Sequence, residues 1–186
     1  MRKIPTLFVR DEATNRRYVK NEVTPGCEWV LAGEGIATRK YDGTCVAINE
    51  DGEWMARREV KAGKGAPENF VLIEHDDVTG KSVGWEPAEQ SGFYKWLQEA
   101  LGNPYERRYE DSYELCGPKV NGNPEKLDKH ELIRHADAEE LDAPRDFDGL
   151  ATWLHSHSFE GIVWHHPDGR MVKLKKRDFP ASTEGA

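Results

Sequence analysis

Apolar residues in this chain fall mostly in short runs broken by turn chemistry, the pattern of a protein with more strands than helices. Thr6 to Val9 and Tyr18 to Lys20 flank the polar stretch Arg10 to Arg17, which predicts a strand-loop-strand unit. Pro25-Gly26 breaks the chain before the short apolar run Trp29 to Leu31. Gly35 to Arg39 and Thr44 to Ile48 predict two strands, and Cys45-Val-Ala-Ile48 has the near-continuous apolar character of a strand covered on both faces. Asn49-Glu-Asp-Gly52 is turn chemistry, after which Trp54 to Val60 returns as the partner strand. Phe70 to Glu74 predicts a further strand and Asp76 to Trp85 a turn-rich connection.

A helical period occurs twice. Phe93, Trp96, Leu97, Ala100 and Leu101 share one face, with Ser91 placed to cap the start and Gly102 to end it; this aromatic stripe reads as core. Phe147, Leu150, Ala151 and Leu154 give the second helix. Tyr113 to Cys116 and Glu131 to His135 predict strands, and Gly161 to Trp164 with Met171 to Leu174 flank Pro167-Asp168-Gly169 as a closing hairpin. The expected fold class is α+β, antiparallel sheets with flanking helices.

At 186 residues, with six Trp, six Tyr and six Phe for a core, one domain is expected. No run approaches the ~18 apolar residues needed to cross a bilayer, and the start, Met1-Arg-Lys-Ile-Pro5, lacks a signal-peptide segment, so a cytoplasmic protein without membrane contact is expected. Cys27, Cys45 and Cys116 form no CxxC pair, which argues for reduced thiols over a zinc site or disulfides. The net charge of −8 counts against a nucleic-acid partner only if charge is spread evenly. It is not: Arg170 to Arg177 holds five basic residues and no acidic one, while Glu125 to Asp148 holds nine acidic against four basic.

Lys40 stands one residue before the turn Asp42-Gly43, between two expected strands. Alone it reads as a surface lysine before a tight turn; burial beside other cations would lower its pKa and make it a nucleophile. Lys173 and Lys175 alternate on one strand and share a face, either as an edge-strand device or as a pair converging on phosphate. Glu160 opens a strand, as a solvated residue or a metal carboxylate, and Glu114 lies in an apolar strand where a charge needs a partner. Alternation lets only one of Arg57 and Arg58 face a site, with Arg57 slightly favoured. The loop Lys61 to Asn69 has the composition of a mobile loop, and its Gly63-Lys64-Gly65 lacks P-loop spacing.

The succession Lys40-Tyr-Asp-Gly-Thr44, Arg57-Arg58, Tyr113-Glu-Leu-Cys-Gly117, Glu160-Gly-Ile-Val163 and Lys173-Leu-Lys175 resembles the covalent nucleotidyltransferases, polynucleotide ligases and capping enzymes, and looks closest to single-domain RNA ligases. The resemblance implies ATP and Mg²⁺ (or Mn²⁺) as cofactors. Lys40 is then the adenylated nucleophile, with Asp42 and Gly43 completing its motif. Lys173 and Lys175 hold phosphate, Glu160 the metal, Glu114 the ribose or metal, and Arg57 or Arg58 the ribose or a phosphate. His135 and Phe147 are the candidates to stack on adenine. The histidine pairs His155/His157 and His165/His166 close no ligand set and read as surface or loop residues. Few residues follow Lys175, so the β-barrel (OB) domain of larger ligases is expected to be missing, and a partner protein could supply the lost grip on substrate. The expectation is a monomeric nucleotidyltransferase domain over 1–186, an RNA-repair ligase joining 5′-phosphate and 3′-hydroxyl RNA ends. The alternatives are a DNA ligase, a GTP-using capping-type enzyme and a non-catalytic RNA-end binder.

Overall fold

The computed structural model describes residues 3–102 and 111–181. In chain order the strands are β1 (Phe8–Arg10), β2 (Val19–Val23), β3 (Ile36–Lys40), β4 (Thr44–Ile48), β5 (Trp54–Val60), β6 (Val71–Asp76) and β7 (Lys81–Pro87). Helix α1 (Tyr94–Leu101), strands β8 (Ser112–Cys116) and β9 (Glu131–Arg134), helix α2 (Phe147–Ser156) and strands β10 (Gly161–His165) and β11 (Met171–Lys175) follow. The fold is α+β, every paired strand in the named sheets running antiparallel. No helix among the described residues is long and apolar enough to cross a membrane.

The chain forms two compact units. One comprises Ile4–Tyr41 and the described residues from Ala138 onward. It contains the β1-β2 pair and a three-stranded sheet in the order β11-β10-β3. Ala37, Ile162, Trp164, Val172 and Leu174 alternate onto one face of that sheet, and the core they enter also takes in Leu150 and Leu154 of α2 with Leu7, Phe8, Val30 and Phe179. Asp146 caps α2, its side chain accepting from the Gly149 N–H. Phe147 packs edge-on against Phe8 and Phe179, so it is a core residue and not an adenine platform.

The other unit comprises Asp42–Asp137 and Lys3, built on a six-stranded sheet in the order β6-β7-β5-β4-β8-β9. Val46, Ile48, Ala56, Tyr113 and Leu115 point to one face and pack with Leu97 and Ala100 of α1. The alternation in β4, with Val46 and Ile48 buried and Cys45 and Ala47 half-buried, replaces the expected strand covered on both faces. Two further expectations change. Asp76 to Trp85 is not simply a connection, because β7 runs between β5 and β6. Gly84, inside that stretch, is a close-approach position: a Cβ there would lie 2.3 Å from the Val71 carbonyl oxygen and 2.4 Å from the Phe70 ring. Ser91 does not cap α1, whose N-cap is Phe93; its hydroxyl donates to the Ala88 carbonyl in the preceding 3-10 turn.

Candidate active site

Strand β10 is the middle strand of the three-stranded sheet, and its first residue, Gly161, is paired with Lys40 on one side and Lys175 on the other. Directly paired residues project to the same face, so the register alone sends both ammoniums the same way. The glycine is required: a Cβ at Gly161 would lie 2.2 Å from the Leu174 carbonyl oxygen and 2.8 Å from the Lys175 Cα. Glu160, just before it, accepts from Lys40 Nζ at 2.6 Å through Oε2 and from Lys175 Nζ at 2.5 Å through Oε1. All three side chains are largely buried, with 9 % of the Glu160 side chain exposed, 20 % of Lys40 and 16 % of Lys175. Burial alone would raise the Glu160 pKa, but the two ammoniums outweigh it and hold the carboxyl below its ordinary range.

Lys173 lies two residues before Lys175 and pairs with Val163, opposite Thr38. Its backbone is fixed from the N-terminal segment, its N–H donating to the Pro5 carbonyl and its carbonyl accepting from the Leu7 N–H. Burial, then the charges of Lys175 and Lys40, push its pKa down to about 8. Lys173 is thus a lysine pushed low by burial and neighbouring cations, and Lys40 meets the Glu160 carboxylate. Lys175 is anchored through its own N–H, which donates to the buried Asp178, itself paired with Arg10 at 2.9 Å.

In the other unit, Asp42 and Gly43 are clamped by backbone and side chain. The Asp42 N–H donates to Glu125 at 2.9 Å, and Asn121 Nδ2 donates to Asp42 Oδ1 at 3.1 Å and to the Gly43 carbonyl at 2.7 Å. A Cβ on Gly43 would lie 2.3 Å from the Leu115 carbonyl oxygen, so β8 can approach only a glycine here. The Gly43 N–H donates to Glu114 Oε1 at 3.2 Å, and Glu114 Oε2 meets His135 Nε2 at 3.0 Å. His135, a candidate to stack on adenine, is therefore a partner of Glu114 in this structure, and its Nδ1 is held by Ser112 at 2.8 Å.

Arg57 continues the β4-β5 register onto the face that carries Cys45 and Glu114, lying over Trp85 at 5.4 Å. Arg58 alternates to the opposite face and is within 3.9 Å of the buried Glu86. The two histidine pairs noted in the sequence have partners of their own: His155 the Ala151 carbonyl, His157 the Trp153 carbonyl, His165 the Thr38 hydroxyl, and His166 the carboxylates of Glu34 and Asp168.

Residues 97–181, which include Glu114, Glu160, Lys173 and Lys175, match the family model for RNA ligase 1. Over this stretch the chain is similar to RNA ligase 1. RNA ligase 1 of Danio rerio is 27% identical over 167 residues, covering 69% of this chain and 49% of the relative. RNA ligase 1 of Pongo abelii is 26% identical and that of Mus musculus 25%, each over 156 residues, 66% of this chain and 46% of the relative. The chain spans about half the length of these curated relatives.

Sequence reasoning missed Asn121 and Glu125. The signal for them was the run Asn121-Gly-Asn-Pro124, where Asn121 (φ 48°) and Asn123 (φ 60°) take left-handed backbone that asparagine tolerates better than most residues. That run turns the chain back so that the Asn121 amide reaches the Asp42-Gly43 turn.

Proposed function

We infer that the chain is an ATP-dependent RNA ligase whose residues 1–186 act as a nucleotidyltransferase domain. The observation that carries this reading is the Lys40–Glu160–Lys175 cluster around Gly161, with Lys173 beside it. A lone carboxylate gathering cations at a strand end is poor economy for stability, since desolvation offsets much of the attraction. It is well suited to a site that exchanges that carboxylate for phosphate oxygens. Loss of a proton from Lys40 frees its Nζ lone pair to attack the α-phosphorus of ATP. The nitrogen–phosphorus bond forms as the bond to the bridging oxygen breaks, and pyrophosphate leaves with the electron pair. Lys173 and Lys175 neutralise the crowded oxygens. Transfer of the AMP to an RNA 5′-phosphate restores Lys40, and attack by a 3′-hydroxyl then releases AMP and forms the phosphodiester.

The Glu160 carboxylate fits Mg²⁺ or Mn²⁺, hard cations held by one or two carboxylates together with substrate phosphates. Such an ion would supply Lewis-acid neutralisation of phosphate charge. Glu114 is assigned to the ribose or to the metal, and Arg57, on the Glu114 face, to the ribose or a phosphate; Asp42 and Gly43 complete the nucleotide-binding motif that Lys40 opens. The names of the relatives support RNA over DNA ends.

Incubation with α-labelled ATP is expected to label the protein covalently through an acid-labile, base-stable bond, with labelled GTP inactive. Absence of label in wild type, or label persisting in Lys40→Ala, would overturn the reading.

A further inference from the structure

Outside the lysine cluster, a second group of side chains comes together on the six-stranded sheet. Cys45 of β4 is paired directly with Glu114 of β8. His135, just past β9, stands two residues beyond Ile133, the partner of Glu114, and so lies diagonally across on the same face. The thiol sulfur, one carboxylate oxygen and one imidazole nitrogen all lie within 4.8 Å of one another. We propose that Cys45, Glu114 and His135 form a three-ligand site for a borderline-soft divalent cation, Zn²⁺ fitting best, with a fourth position left to water or a substrate atom.

Two features support it. Tetrahedral zinc with ordinary bond lengths to sulfur, nitrogen and oxygen needs ligand atoms about 3.4–3.6 Å apart, so closure from the present spread requires side-chain adjustment only. His135 is already oriented from behind, Ser112 Oγ meeting its Nδ1 at 2.8 Å and leaving Nε2 toward Glu114. An outer partner of this kind fixes which ring nitrogen serves a metal. Binding would send the Cys45 thiol proton to solvent, and the His135 N–H would sit on Nδ1, donating to Ser112. A thiolate and an imidazole select against Mg²⁺, which takes oxygen ligands, so the site is chemically distinct from that of Glu160. Spacing rules see only cysteines close in sequence, whereas here the sheet register assembles the ligands from residues 45, 114 and 135.

The test is titration of the full-length, chelator-treated protein with Co²⁺ in excess Mg²⁺ and no ATP, so that it is independent of the ligase reading. One Co²⁺ per chain is expected to bind with thiolate-to-cobalt charge-transfer absorption, and Zn²⁺ to displace it. Cys45→Ser is expected to abolish the absorption, and His135→Gln to weaken binding by more than the ~10–100-fold that loss of an outer partner such as Ser112 would cost. Cys116→Ser and Glu160→Gln should leave both signals unchanged. Absence of the absorption in wild type, its persistence in a folded Cys45→Ser protein, or displacement of Co²⁺ by Mg²⁺ would overturn the site. Circular dichroism on each variant, with His135→Gln as the second ligand change, separates loss of metal from loss of fold.

Discussion

Replacing Lys173 by methionine should make the protein more stable and less active at once. Lys173 is held beside Lys175 and Lys40 with its pKa at about 8 instead of 10.5. At ~1.4 kcal/mol per tenfold change in proton affinity, that difference amounts to roughly 3 kcal/mol by which the folded state disfavours the ammonium. The sign follows from proton counting. As pH rises the folded protein sheds this proton first, the unfolded chain holds more protons between about 8 and 10.5, and wild-type stability climbs through that window. Below it both states are protonated, and the whole penalty is in force. A methionine of similar length carries no such penalty at any pH. In urea melts, Lys173→Met should therefore be more stable than wild type at pH 7, and its advantage should shrink by about 2 kcal/mol by pH ~9.5. With a urea slope of ~2 kcal/mol/M this is a midpoint difference falling by about 1 M. Covalent labelling with ATP should be lost at both pH values. A variant that is destabilised at pH 7, or whose stability difference does not vary with pH, would refute an electrostatic origin for the cost at Lys173.

Gly161→Ala forces a Cβ against the Leu174 carbonyl and should destabilise by ~1–3 kcal/mol in urea melts while abolishing labelling even under conditions where the variant is folded. Asn121→Ala removes both amide contacts to the Asp42-Gly43 turn; a stability loss of about 1–2 kcal/mol and slower labelling in a quenched time course are expected. Burial raises and Lys40 and Lys175 together lower the Glu160 pKa, with a net depression, so its charge contributes stability above about 4.5 that is lost as pH falls further. Glu160→Gln should accordingly flatten the acid limb of a stability–pH profile. Arg57→Ala should impair labelling or sealing, as KM or rate, far more than Arg58→Ala, because only Arg57 shares a face with Glu114.

How much was legible in the sequence follows from which interactions are local. Strand and helix positions set by alternation or by a 3.6-residue stripe, such as β5, α2 and the β10-β11 hairpin, could be read directly. Strand β7 could not, because Gly84 reads as a breaker until one knows that Phe70 and Val71 lie against it. Ser91 looked like an N-cap by position, but its hydroxyl is committed to Ala88. At the candidate site the lysines and glutamates were identifiable as types in order, while their partners were not. That Glu160 holds Lys40 and Lys175, and that the lowered pKa belongs to Lys173, depends on the register Lys40–Gly161–Lys175 and on burial, neither of which is encoded locally. His135 and Phe147 were equal candidates as aromatics; only packing separates a Glu114 partner from a core residue.

Strand β3 finds its neighbour in the three-stranded sheet only in β10, and Lys40 is separated by 120 residues from the carboxylate it meets. A ribosome therefore delivers the Lys40 amine early and the strand that pairs with it about 120 residues later. Contacts of such long range form slowly once their segments are present. A product interrupted before residue 161 therefore carries Lys40 without the strand that pairs with it.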